Sequence, residues 1–205
     1  MPNKHPTPVI AVALPKGGQG RTTTCYLLGT ELARAGWRVR LEDTDPARHL
    51  TAVAARLPFP PGLPVWLDGL FPLPDSDCDI VLLDCAPEAS GAALVPILSR
   101  ATHVLVPVKG PEAGAISAVP LLLGWLDGLP CTLLGFLPTM FKPRRLESHV
   151  YLRELQALAA ARHTRVFAPI HDLAPISQWH TPSPQYAALA QEVSDVLRPD
   201  SIAVA

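Results

Sequence analysis

Val9-Ile10-Ala11-Val12-Ala13-Leu14-Pro15-Lys16-Gly17-Gly18-Gln19-Gly20-Arg21-Thr22-Thr23-Thr24 decides the fold of this chain. An apolar run ends in a glycine-rich turn, and a helix-like segment from Thr22 to Ala35 follows. That order is the context of a phosphate-binding loop. Glycines let successive backbone N–H groups curl inward toward an anion, and the helix adds its positive N-terminal end. A Thr in the first helical turn, Thr22, can offer its hydroxyl to a phosphate-bound Mg²⁺. The spacing departs from G-x-x-x-x-G-K-[ST] at two places, with Pro15 for the first glycine and Arg21 for the lysine. Lys16, just ahead of the double glycine, replaces what is missing.

Two acidic stretches answer this loop. Asp79-Ile80-Val81-Leu82-Leu83-Asp84 reads as a strand buried on both faces, with Asp84 at its carboxyl end. A phosphate-binding enzyme needs a carboxylate there to hold the water shell of Mg²⁺. Trp37 to Leu41 reads as another strand, delivering Glu42-Asp43-Thr44-Asp45-Pro46 at its end. Open α/β sheets bind ligands in the crevice beyond those ends. Asp45 before Pro46 also suits a helix N-cap followed by an N1 proline, so both readings stand for it.

The chain has 205 residues, 48% of them apolar, and a formal net charge of −1. That suits one α/β domain over 1–205 and excludes a disordered or strongly basic chain. Any nucleic-acid contact would come from a local patch. Cys25, Cys78, Cys85 and Cys131 form no C-x-x-C pair and read as buried thiols rather than a metal site. The N-terminus lacks a signal-peptide core, and Ala113 to Leu126 is interrupted by Pro120, so the expected location is cytoplasmic, without a membrane span.

Strand and helix alternate along the rest. Helices are expected at Ala47 to Arg56, Glu88 to Ser99, Glu112 to Leu126, Arg144 to Ala161 and Pro184 to Leu197. Strands are expected at His103 to Val108, Cys131 to Leu137 and Arg165 to Ala168, with one short strand in the proline-rich piece after Pro58. Such alternation predicts an α/β fold: a doubly wound, mostly parallel sheet with helices on both faces.

The motif Lys16-Gly17-Gly18-Gln19-Gly20-Arg21-Thr22-Thr23 resembles the deviant Walker A of the ParA/MinD family of P-loop ATPases. Asp43-Thr44-Asp45-Pro46 resembles its switch I, and Ile80 to Asp84 with Cys85-Ala86-Pro87 its Walker B and switch II. The likeness is nearest to short partition ATPases without an N-terminal DNA-reading domain. It implies ATP and Mg²⁺ as cofactors, with Gly17, Gly18, Gln19, Gly20, Arg21, Thr22 and Thr23 around the phosphates. Thr22, Asp43 and Asp84 would serve the metal, and Asp45 would orient the attacking water. Lys16 would reach the phosphates of a second ATP-bound subunit. Leu137 to Phe141 and Val166 to Ile170 match the two base-binding loops in position, which puts Met140 and Pro169 near the base.

The resemblance also implies an ATP-dependent homodimer, non-specific DNA binding on the nucleoid, and a ParB-like centromere-bound partner that stimulates hydrolysis. Lys142, Arg144, Arg145 and Arg153 offer a basic surface for DNA phosphates. Arg145, His149 and Arg153 are four apart and line one stripe of the expected helix, with Leu146 and Val150 turned away from it. An ordinary solvated face explains the same spacing. Arg21 is planar and forked where the family carries a compact ammonium, so a slow ATPase is expected. The alternatives are a nucleotide-responsive binding switch with little turnover, and a MinD-like positioning ATPase.

Overall fold

The computed structural model describes residues 7–68, 78–88 and 90–198. Strand β1 (Val9–Val12) lies in the middle of a six-stranded sheet with β2 (Val39–Asp43), β3 (Val65–Leu67), β4 (Ile80–Asp84), β5 (His103–Lys109) and β6 (Thr132–Thr139). The order is β3-β2-β4-β1-β5-β6, and every pairing is parallel. The chain first builds outward from β1 to β2 and β3, returns to insert β4, then crosses to the other side for β5 and β6. The reversal opens a crevice beyond the carboxyl ends of β1 and β4.

Side chains alternate across the central strands, and both faces are covered. Ile10 and Val12 point into one apolar layer with α1 (Arg21–Arg34), α2 (His49–Arg56) and α7 (Pro184–Leu197). Ala11 and Ala13 point into a second layer with α3 (Leu94–Leu98), α4 (Ala113–Leu126) and α5 (Leu146–Ala161). Burial on both faces is why β1 and β4 read as unbroken apolar runs. A short helix α6 (Ala174–Ser177) precedes α7. All four cysteines are free thiols; Cys25 and Cys85 are buried. No helix among the described residues is long and apolar enough to cross a membrane.

Several expected boundaries move. The helix over Glu88 to Ser99 shrinks to Leu94–Leu98, because Gly91 sits at φ 76° and breaks its first half. Arg165 to Ala168 makes no strand, only a parallel bridge between Val166 and Phe136 at the open edge of β6. Helix α2 starts at His49, since Arg48 is left-handed at φ 54°, so Asp45 is not its N-cap. Helix α5 starts at Leu146, with extended Arg145 as its N-cap residue. Its buried side carries Ser148, Tyr151, Leu155 and Ala159, while Leu146 and Val150 are exposed.

Candidate functional site

The turn after β1 is shaped by two glycines in the left-handed region, Gly18 at φ 72° and Gly20 at φ 83°. Chain neighbours apart, no atom lies within 4 Å of where a Cβ would sit on Gly17 or Gly18, so both glycines border open space. Gly20 is also the N-cap of α1, which has no side-chain cap and no acid in its first turn. Uncapped N–H groups and the positive helix end therefore face the loop. Gln19 holds the loop from behind. Its buried side chain accepts from the Lys109 N–H (2.9 Å) and donates to the Gly17 carbonyl (3.0 Å). The Gln19 carbonyl accepts from the Thr139 hydroxyl (3.0 Å), so the ends of β5 and β6 brace the loop together.

Arg21 does not point into the open turn. Its Nη1 donates to the Leu14 carbonyl (2.6 Å) and to the Lys16 carbonyl, and the side chain is 8% exposed. Burial lowers its pKa, while the charges of Asp84 and Asp45 work against that shift. Arg21 is thus a strut across the mouth of the loop, and its buried Nε has no partner.

The three carboxylates of the strand ends are all buried, and each is used differently. Asp43 Oδ2 accepts from both the N–H (2.8 Å) and the hydroxyl (2.7 Å) of Thr51, in the first turn of α2. Its Oδ1 accepts from the Asp45 N–H at 3.3 Å. Asp45 Oδ1 accepts from the Ala47 N–H (2.8 Å), and Oδ2 lies 3.2 Å from His49 Nδ1. Asp84 has its backbone carbonyl held by the Thr44 N–H and hydroxyl. Both of its carboxylate oxygens are buried without a hydrogen-bond partner. Burial raises the Asp84 pKa to about 7, an effect that the neighbouring Thr22 hydroxyl offsets in part.

Lys16 turns toward the start of α4. Its Nζ is 2.9 Å from Glu112 Oε1, and Lys109 Nζ is 3.4 Å from Glu112 Oε2. The two base-loop segments also converge. The Ile170 N–H donates to the Pro138 carbonyl (2.8 Å) and the Phe141 N–H to the Ile170 carbonyl (2.9 Å), which sets Met140 and Pro169 on adjoining backbone. Met140 is left-handed at φ 50°, directly after Thr139, the residue bonded to the glycine loop.

The basic segment is only partly a helical stripe. Lys142 is paired with Asp172 at 3.0 Å, and His149 donates to the Pro143 carbonyl at 2.7 Å. Arg144, Arg145 and Arg153 are exposed, and among the described residues none of them has an ion-pair partner.

Sequence reading missed Glu112, Thr51 and His49. Only the placement of Lys109-Gly110-Pro111-Glu112 at a strand end beside the loop could have pointed to Glu112. The other two follow a turn whose geometry depends on left-handed Arg48.

Residues 10–180 match the family described as the CobQ/CobB/MinD/ParA nucleotide-binding domain. The chromosome-partitioning ATPase Soj of Thermus thermophilus is 33% identical, with 72% of this chain and 75% of that one covered. A ParA protein of Rhizobium radiobacter is 35% identical over 52% of this chain, and the match spans 50% of that relative's length. A Borrelia burgdorferi B31 protein described as a plasmid partition protein, solved with AMPPNP bound, has the same fold. Its TM-score is 0.71 at 16% identity, with 95% of this chain and 99% of that one covered.

Proposed function

The chain belongs to the family of CobQ/CobB/MinD/ParA nucleotide-binding domains, and on that premise we propose that it is a ParA-type partition ATPase that binds ATP with Mg²⁺, dimerises around it and holds DNA while it does. The observation that carries this reading is Asp84: a buried carboxylate without a well-formed hydrogen bond, close to the Thr22 hydroxyl and at the strand end beside an uncapped helix N-terminus. A buried carboxylate without a donor is costly unless something else completes it. Among the described residues, no cluster of three or more His, Cys, Asp or Glu side chains could hold a metal alone. Asp84 and the Thr22 hydroxyl are hard oxygen donors of the kind that would hold Mg²⁺ beside bound phosphates. When bound, Mg²⁺ neutralises charge on the phosphates.

The backbone N–H groups of Gly17 to Thr23 would cradle the phosphates, with α1 adding its positive end. Asp45 orients the attacking water, and Asp43 keeps α2 and the Asp45 turn in place through Thr51. Lys16 crosses to the second subunit and stabilises charge on the transferring phosphoryl, as an arginine finger does. Met140 and Pro169 border the base. Arg144, Arg145 and Arg153 meet DNA phosphates without reading sequence, and a centromere-bound partner stimulates hydrolysis. The test is size-exclusion and phosphate release with ATP, Mg²⁺ and duplex DNA. A chain that neither binds ATP nor changes its assembly state sinks the reading.

One observation favours a second reading, a nucleotide-responsive switch with little turnover. Arg21 is committed to the loop carbonyls, so no positive side chain of the first helical turn reaches toward the phosphates. ATP-dependent dimerisation without phosphate release, even with DNA and partner present, would favour it.

A further inference from the structure

We infer that Glu112 is a positioning residue for Lys16: it holds the lysine on its own subunit until nucleotide draws it away, with Lys109 standing by to neutralise the carboxylate that Lys16 leaves. This rests on the reading of Lys16 as the lysine that crosses the dimer.

Three observations meet at this point. Lys16 Nζ and Lys109 Nζ lie 2.9 and 3.4 Å from the two oxygens of the same carboxylate. Hydrogen bonding from Lys16 leads the causes that hold the Glu112 pKa below its usual range, and Lys109 adds to it. The Lys16 stem lies against Gly114 in the first turn of α4, where a Cβ would come within 3.1 Å of Nζ and 3.4 Å of Cε. A Cβ at Gly114 would press on the end of the lysine and require it to shift by a few tenths of an ångström. Lys109 is itself tied to the loop, because its N–H donates to buried Gln19. The carboxylate and its second lysine therefore stand at a set distance from the loop that carries Lys16.

The sharing makes release inexpensive. A carboxylate with one counter-ion would be left bare when Lys16 departs toward phosphate. With Lys109 on its other oxygen, Glu112 stays partnered. The pair is about a third exposed on each side, so its strength is that of a surface ion pair, at most about 1 kcal/mol. That is enough to shift an ATP requirement by about fivefold or less.

The experiment compares the full chain with Glu112→Gln and Lys109→Ala. In nucleotide-free protein, acylation of Lys16 by an amine-reactive reagent, read by peptide mass spectrometry, should rise about 2–5-fold in Glu112→Gln. The ATP concentration at half-dimerisation should fall by a similar factor, and this difference from the parent should shrink in high salt as the ion pair is screened. Lys109→Ala should raise that concentration, because Lys16 is then the sole counter-ion of Glu112. Unchanged labelling of Lys16 in Glu112→Gln overturns the inference whether or not the protein dimerises. Increased labelling with an unchanged ATP requirement also overturns it, since the pair then opposes nothing. Increased labelling with no ATP-dependent dimer in any variant, parent included, sinks the partition reading and the positioning role with it.

Discussion

Asp43 and Asp84 are register partners across β2 and β4, yet their carboxylates live opposite lives. Asp43 gives both oxygens to backbone and hydroxyl donors from Thr51 and Asp45. Asp84, one strand over and 1% exposed, makes no well-formed hydrogen bond through either oxygen and has only the nearby Thr22 hydroxyl acting on its charge. The strand pairing sets the two side by side, and the turn at Arg48 decides which is free. Where that turn brings the first turn of α2 back over β2, Asp43 becomes a cap and Asp84 remains the acceptor.

Asp84→Asn should therefore remove the Mg²⁺-dependent part of nucleotide affinity, measured by titration with and without EDTA. Asp43→Ala should leave that part largely in place and cost about 0.5–2 kcal/mol of stability, the range for removing a helix cap. If Asp43→Ala alone abolishes Mg²⁺-dependent binding, Asp43 belongs to the metal shell after all.

The pKa of Asp84 makes stability depend on pH. The folded chain keeps this proton up to about pH 7, whereas the unfolded chain loses it near 3.8. Protonated Asp84 favours the fold, so its contribution declines as pH rises from about 4 to 7 and is level above that. The full change is on the order of 4 kcal/mol. Denaturant titrations between pH 5 and 8 should show the decline in the nucleotide-free parent. Asp84→Asn should lack it and be the more stable protein at pH 8. A flat difference between the two across this range would contradict the assignment.

Asp45→Ala should keep ATP binding and lose hydrolysis by two orders of magnitude or more, on the order expected when a group that positions the reacting water is removed. Its partners are Ala47 and His49 rather than the glycine loop. ATP-bound dimer should accumulate on size-exclusion. Parental turnover in the variant would remove Asp45 from the reaction.

Arg21→Lys should raise ATP turnover while lowering stability. The guanidinium braces Leu14 and Lys16, and removing a buried hydrogen bond costs about 0.5–1.5 kcal/mol. An ammonium freed from that brace can reach between the β- and γ-phosphates, where a planar fork does not fit. Steady-state hydrolysis and thermal melts of both proteins decide it. Weaker ATP binding in Arg21→Lys would mean that the loop is built around the fork.

Replacing Arg144, Arg145 and Arg153 by Ala should weaken ATP-dependent binding to any duplex about equally. The log–log salt slope should become shallower by roughly one for each DNA phosphate that is no longer neutralised. Lys142→Ala should do less, because that lysine is already paired with Asp172. Unchanged affinity at low salt would leave these arginines as solvated surface.

The parallel α/β architecture and the place of the site were legible in the sequence, whereas the order of the strands was not. Apolar runs such as Val9 to Leu14 and Ile80 to Leu83 are strands because both of their faces need covering, and that pattern is local. The glycine loop and the acids at strand ends are legible for the same reason, since they follow a strand by a fixed number of residues. What each polar side chain does there was decided by tertiary structure alone. Lys16 meets Glu112, far along the chain, because β1 and β5 are neighbours in the sheet. Asp43 meets Thr51 because Arg48 takes a left-handed turn, and Arg21 folds back because two carbonyls of its own loop lie within reach. The extent of α5 and the isolated bridge at Val166 likewise depend on what packs beside them. Hydrogen bonds and ion pairs are set by distances of a few ångströms that depend on how the backbone turns and on what the sheet brings together, and no periodicity encodes those distances.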